Sequence, residues 1–150
     1  MDDKVIATNR RARFDYCLLE TIEAGIVLKG TEVKSLRARQ VSLQDSFARP
    51  EGSELFLYHM HIAPYAFGNI ANVDSLRPRK LLLHKSQIKR LVAEVTTKRV
   101  ALIPLKVYFT KGIAKVEIAL AKGKKAHDKR DAIQRREMDR ELRRAIREKK

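Results

Sequence analysis

The chain has 150 residues, room for one domain or for one domain with an appendage. Its 33 lysines and arginines face only 18 acidic residues, a formal net charge of +15, and 44% of its residues are hydrophobic. Wholesale disorder is thereby excluded, a polyanionic partner is indicated (nucleic acid ahead of an anionic membrane surface), and the lone cysteine, Cys17, excludes an intramolecular disulfide and cysteine-rich zinc sites.

Met1 to Arg13 is polar and lacks the apolar stretch of a signal peptide, and no apolar run approaches the ~20 residues of a membrane span. A cytoplasmic chain with no membrane partner is expected. Asn9 to Tyr16 interleaves Arg10, Arg11 and Arg13 with Phe14 and Tyr16. Guanidinium groups pair with phosphates and aromatic rings stack on unpaired bases, so this segment is a candidate RNA contact. The plainer alternative is a solvated arm whose rings tuck against the body. Tyr16 to Leu28 reads as one or two strands bent near Gly25, with Cys17 a packed, inert thiol.

Thr31 is placed to cap a short helix that turns Val33 and Leu36 inward and Lys34, Arg37 and Arg39 outward. Ser42 to Arg49 is a weaker strand, and a turn at Glu51-Gly52-Ser53 leads into an apolar strand from Leu55 to Ile62. On that strand His59 and His61 share a face, as a metal pair can. No third ligand accompanies them, so they read as surface or core-edge histidines, and no metal or cofactor is expected. Arg77-Pro78-Arg79-Lys80 is a second basic cluster. It runs into Leu81-Leu82-Leu83, which cannot all face one core, so at least one leucine is exposed.

Ser86 is placed to cap a second helix with Ile88, Leu91, Val92 and Val95 on one side. Ala101 to Phe109 and Ala114 to Leu120 alternate in hydrophobicity around Lys111-Gly112 and read as a hairpin, with Pro104 marking an edge or a bulge. Short strands, glycine turns and two helices predict a mainly β fold, an OB-like Greek-key barrel. The barrel is assigned to 1–121 and a basic tail to 122–150. That tail carries 13 of the 33 basic side chains and no aromatic residue. Lys122, Gly123, Lys124, Lys125, His127, Asp128, Lys129 and Arg130 open it, and Met138, Leu142, Ala145 and Ile146 give it one thin apolar stripe. It is expected to be disordered alone and helical on a partner. No phosphate-binding loop, GxSxG, HExxH or convergent carboxylate cluster is present, so no enzyme is expected, a metal-dependent nuclease being the catalytic alternative.

Several segments together resemble one family. They are Asn9 to Arg13, Glu23 to Ile26, Gly30 to Ala38, Arg79 to Leu83 and Lys122 to Arg130, in this order. The chain is similar from about Val5 onward to the SsrA-binding protein family (small protein B, SmpB). The resemblance implies a bacterial, cytoplasmic OB-type barrel that binds the tRNA-like domain of transfer-messenger RNA. Such a protein serves trans-translation, in which stalled ribosomes are rescued and incomplete proteins tagged for degradation.

It also implies that the protein is a non-catalytic monomer with two partners, that RNA and the ribosome, where its tail follows the messenger channel from the small-subunit decoding region. By the same resemblance Asn9, Arg11, Arg13, Tyr16, Glu23 and Leu82 contact the RNA, with Arg79 and Lys80 beside them, and His127 to Arg130 serve on the ribosome. Where many members have His, this chain has Phe14, which can stack on a base but cannot donate a hydrogen bond. The alternative within the binding class is a general ribosomal or RNA-chaperone OB protein.

Overall fold

The computed structural model describes residues 4–65, 73–123 and 126–148, with the backbone alone for 126–133 and 147–148. The elements, in order, are β1 (Lys4–Thr8), α1 (Ala12–Asp15), β2 (Tyr16–Ile26), α2 (Gly30–Arg37), β3 (Val41–Ser42), β4 (Phe47–Glu51), β5 (Glu54–Tyr58), β6 (His61–Ile62), β7 (Arg79–Leu82), α3 (Lys85–Lys98), β8 (Ala101–Thr110), β9 (Ile113–Gly123) and α4 (Ala126–Glu148). Strands follow the order β1-β8-β4-β5-β7-β2-β9, and an added β8–β9 pairing closes a ring. Closure leaves few unpaired strand edges. The mainly β, barrel-forming expectation is borne out.

The hairpin is the clearest product of the sequence. β8 and β9 pair from Ala101↔Ala121 to Thr110↔Ile113, around Lys111 (φ +52°) and Gly112 (φ +77°). Two left-handed residues suit the twist of a two-residue turn. Pro104 lacks an amide donor, and the register slips beside it, between Pro104 and Lys106, as expected of a bulge. The N-terminal arm docks at this place: the Asn9 amide donates to the Leu105 carbonyl at 2.7 Å and Asn9 Nδ2 to the Pro104 carbonyl at 3.0 Å. The arm is therefore not solvated throughout; it adds β1 to β8, with Ile6 buried.

Alternation along β7, β8 and β9 sends Leu81, Leu102, Val107, Val116 and Ile118 into the main core, where Leu36 of α2 and Ile88 and Leu91 of α3 meet them. A second, smaller cluster gathers Ala12, Ile103, Leu105, Ala119 and Ala121 beneath α1.

Several local expectations are corrected. α2 starts after Lys29, not Thr31, and α3 after His84, not Ser86. In both, a side chain three residues on does the capping: Glu32 Oε1 accepts the Lys29 amide at 2.8 Å and Gln87 Oε1 accepts the His84 amide at 3.0 Å. Tyr16–Ile26 is one strand whose irregularity lies between Leu18 and Glu20, not at Gly25. The run from Ser42 to Arg49 divides between β3 and β4. The run from Leu55 to Ile62 breaks at His59, whose φ of +63° ends the extended backbone, so His59 and His61 do not share a strand face. The His59 ring instead meets Phe47 edge-on, with centroids 5.1 Å apart. Cys17 is exposed rather than packed, because alternation turns Leu18 toward the second cluster.

Candidate nucleic-acid interface

The outer face of β7, β2, β9 and β8 brings three of the expected residues together. Ala24 and Ile26 point into the core, so Glu23 and Gly25 lie on the other side of β2. Gly25 pairs with Leu82 on β7 and with Lys115 on β9, and Glu23 pairs with Glu117. A Cβ at Gly25 would lie 3.2 Å from the Leu82 Cβ, so the missing side chain is what lets Leu82 settle over β2. Leu82 itself stays 51% exposed, a large apolar side chain presented to solvent. Of the three consecutive leucines only Leu82 is exposed, as the sequence required of at least one.

Glu23 is exposed, yet its carboxylate is held: Tyr108 Oη donates to Glu23 Oε2 from two strands away. The Tyr108 side chain is nearly buried, with Lys106 Nζ 5.4 Å from its ring centroid. Lys106 Nζ also lies 3.4 Å from the Glu117 carboxylate, which offsets the juxtaposition of Glu117 and Glu23. Lys80 Nζ lies 2.7 Å from Glu54 at the side of Leu82. The face thus offers an oriented acceptor, an apolar side chain and two lysines, each paired with a glutamate.

Arg79 is not on this face. Its side chain has no exposure, and its Nε and Nη2 donate to Glu32 Oε2 at 2.8 and 2.6 Å. Further donations reach the carbonyls of Met60 and Ser75. Arg77 Nη2 takes the other Glu32 oxygen. Burial pushes the Glu32 carboxyl up, but hydrogen bonds from Arg77, the Lys29 amide and Arg79 outweigh it and hold the pKa below the ordinary value. Burial lowers the Arg79 pKa, and the Glu32 carboxylate opposes that fall. An isolated charge at this depth would be costly, and the pairing fixes α2 against the start of β7. The basic cluster therefore divides, with Arg79 inside and Lys80 outside.

A second group lies around α1. Asn9 spends its side chain on Pro104, which makes it an anchor for the arm. Arg11 and Arg13 are exposed. Arg11 Nε lies 3.5 Å from Asp15, a solvent-screened pair. Two guanidinium groups approach the Phe14 ring, with Arg11 at 5.5 Å and Arg136 of α4 at 5.6 Å from its centroid. Tyr16 is half-buried opposite Gly123, and exposed Lys122 faces Cys17 across the ladder. Lys124 and Lys125 lie outside the described residues. His127, Asp128, Lys129 and Arg130 fall on the α4 backbone, and their side chains are outside the described part. Among the described residues, Met138, Leu142 and Ile146 of the tail stripe are all more than half exposed.

Sequence reasoning missed Tyr108, Gly25 as the seat of Leu82, and Arg136 over Phe14. The alternation of Lys106 and Tyr108 with core residues on β8 carried a signal for the first of these. Among the described residues no group of three His, Cys, Asp or Glu side chains could hold a metal, and no helix is long and apolar enough to cross a membrane.

A family model described as SmpB protein matches residues 6–148. The chain belongs to the SmpB family. The SsrA-binding protein of Caldicellulosiruptor saccharolyticus is 60% identical over 147 residues, covering 98% of this chain and 93% of that protein. The SsrA-binding protein of Enterococcus faecalis is 53% identical over 145 residues, 97% of this chain and 94% of that one. Among solved structures, a chain from work on tmRNA-SmpB at the center of the bacterial ribosome superposes with a TM-score of 0.71 at 55% identity, covering 88% of this chain and 96% of the other. The resemblance read from the sequence is thus borne out at the level of the SmpB family and its fold.

Proposed function

We propose that this chain binds the tRNA-like domain of transfer-messenger RNA and acts with it in trans-translation, rescuing stalled ribosomes and enabling incomplete proteins to be tagged for degradation. The observation that carries the reading is 60% identity across 98% of the chain to a protein named for binding SsrA. The related solved chain, described with tmRNA and the bacterial ribosome, supports both partners.

The geometry supplies a mechanism that needs no catalysis. The Glu23 carboxylate, steadied by Tyr108, accepts hydrogen bonds from base donors, since an anion cannot serve a phosphate. Leu82 packs against a base or sugar face, and Lys80 offers charge beside it. Arg11 and Arg13 meet phosphates, and Phe14 stacks. With Arg79 buried and Arg77 held on Glu32, the phosphate contact of the 77–80 cluster falls to Lys80. The body, 1–121, carries the RNA, and the tail, 122–150, enters the emptied messenger channel, where RNA neutralises its cations and favours the helix. Lys122 to Arg130, with His127, Asp128, Lys129 and Arg130 at the centre, then act at the decoding region. The protein works in the cytoplasm, as a monomer on the RNA.

Reconstituted translation on a message lacking a stop codon tests this. Tagging should require the chain together with transfer-messenger RNA. Equal tagging without the chain would remove the assignment.

A further inference from the structure

A groove of about 820 Å³ runs between α3 and β7, closed at one end by the β4–β5 turn. Its apolar lining comes from Leu81, Leu83, Ile88 and Val92, and Leu82 extends it toward the outer sheet face that carries Glu23. Most polar groups in the lining are already engaged. Thr96 and Thr97 donate their hydroxyls to the Val92 and Ala93 carbonyls at 2.8 and 2.7 Å, and Glu54 is paired with Lys80. Two exposed cations remain, Lys85 and Lys89, one helical turn apart on the same side of the groove. Neither has a hydrogen bond or ion pair among the described residues.

An apolar trough of this size edged by unspent cations matches a ligand that is flat and apolar in its middle and anionic along its edge. On a chain of net charge +15, with the trough opening onto Leu82, RNA meets that description better than an acidic peptide does. We infer that this groove holds one or two unpaired nucleotides of the bound RNA, with bases against Leu83, Ile88 and Val92 and phosphates at Lys85 and Lys89. The inference rests on the RNA-binding reading above and extends it to α3, which none of the expected contact residues occupies.

The test uses the full chain and a transcript of the tRNA-like domain. Lys85→Ala with Lys89→Ala removes two phosphate contacts. Affinity should fall about tenfold, and the slope of log affinity against log salt should become shallower by about 1.4, the value for two single-strand phosphates. Ala93→Trp, at an exposed position in the lining, should fill the groove and weaken binding about tenfold through lost stacking while the melting temperature holds. Folded variants that keep the parent's affinity and salt slope would overturn the inference. The same result, with an acidic amphipathic peptide protecting α3 amides, would give the groove to a protein. Glu23→Gln is measured alongside. Weakened binding there with unaffected groove variants removes the groove alone, whereas a parent chain that does not bind the transcript removes the functional reading as well.

Discussion

The hydroxyl of Tyr108 on β8 reaches across β9 to the carboxylate of Glu23 on β2. A nearly buried ring thereby holds an exposed acid in one rotamer. Fixing the acceptor before RNA arrives lowers the entropy lost on binding. Tyr108→Phe keeps the ring and deletes the donor. Its RNA affinity should fall by about 1 kcal/mol, a typical net hydrogen bond. The effect should vanish in a Glu23→Ala background, which leaves the hydroxyl no acceptor to hold, whereas a glutamine there would still accept from it. Full additivity in that double-mutant cycle, measured by RNA titration, would dissociate Tyr108 from Glu23.

Leu82 gives a sharper separation of binding from folding. At 51% exposure its truncation removes little core, so Leu82→Ala should lower RNA affinity by about 1–3 kcal/mol while stability changes by less than about 1 kcal/mol. Gly25→Ala approaches the same contact from beneath. Its new methyl meets the Leu82 Cβ at 3.2 Å and must displace it. RNA affinity should fall there too, with Leu82 untouched in sequence. Thermal melts alongside binding curves check both variants.

Much of this was legible because it is local. Alternation and the Lys111-Gly112 turn announced the hairpin, and three successive leucines forced one outward. Pro104 marked its own bulge. What stayed hidden depends on partners far along the chain. Arg79 reads as a surface cation until Glu32, 47 residues away, folds against it. β1 buries Ile6 fully and its neighbour Ala7 in part, so its five residues show no period of two. The helix starts were missed because Glu32 and Gln87 cap from inside the helices, while Thr31 and Ser86 looked like caps. His59 interrupts its strand through a backbone angle that its side chain does not advertise.

The buried Glu32 predicts a specific acid response. Its pKa is lower folded than unfolded, so its contribution to stability is present above the unfolded value, about pH 4.3, and is lost as pH falls through the lower folded value. Chemical denaturation between pH 7 and 2 should show this loss, and Glu32→Gln should flatten it. The same substitution strands Arg79 and Arg77 without their anion. Stability at pH 7 should drop by about 3–5 kcal/mol, the cost of breaking a buried pair from one side. A Glu32→Gln protein as stable as the parent at pH 7 would contradict a structural ion pair here.

The tail should separate from the body in function. Replacing Asp128, Lys129 and Arg130 with alanines alters net charge by only one unit, so RNA affinity should stay near the parent's. Tagging on a stalled ribosome should nevertheless be lost. A variant that tags like the parent would reduce the tail to a charged arm.

The most direct measurement is to capture the chain from bacterial cells under moderate salt and sequence the RNA that comes with it. Strong enrichment of one species with a tRNA-like domain is expected, reduced when Glu23 or Leu82 is replaced. Bulk ribosomal RNA in its place, unchanged by those replacements, would contradict it.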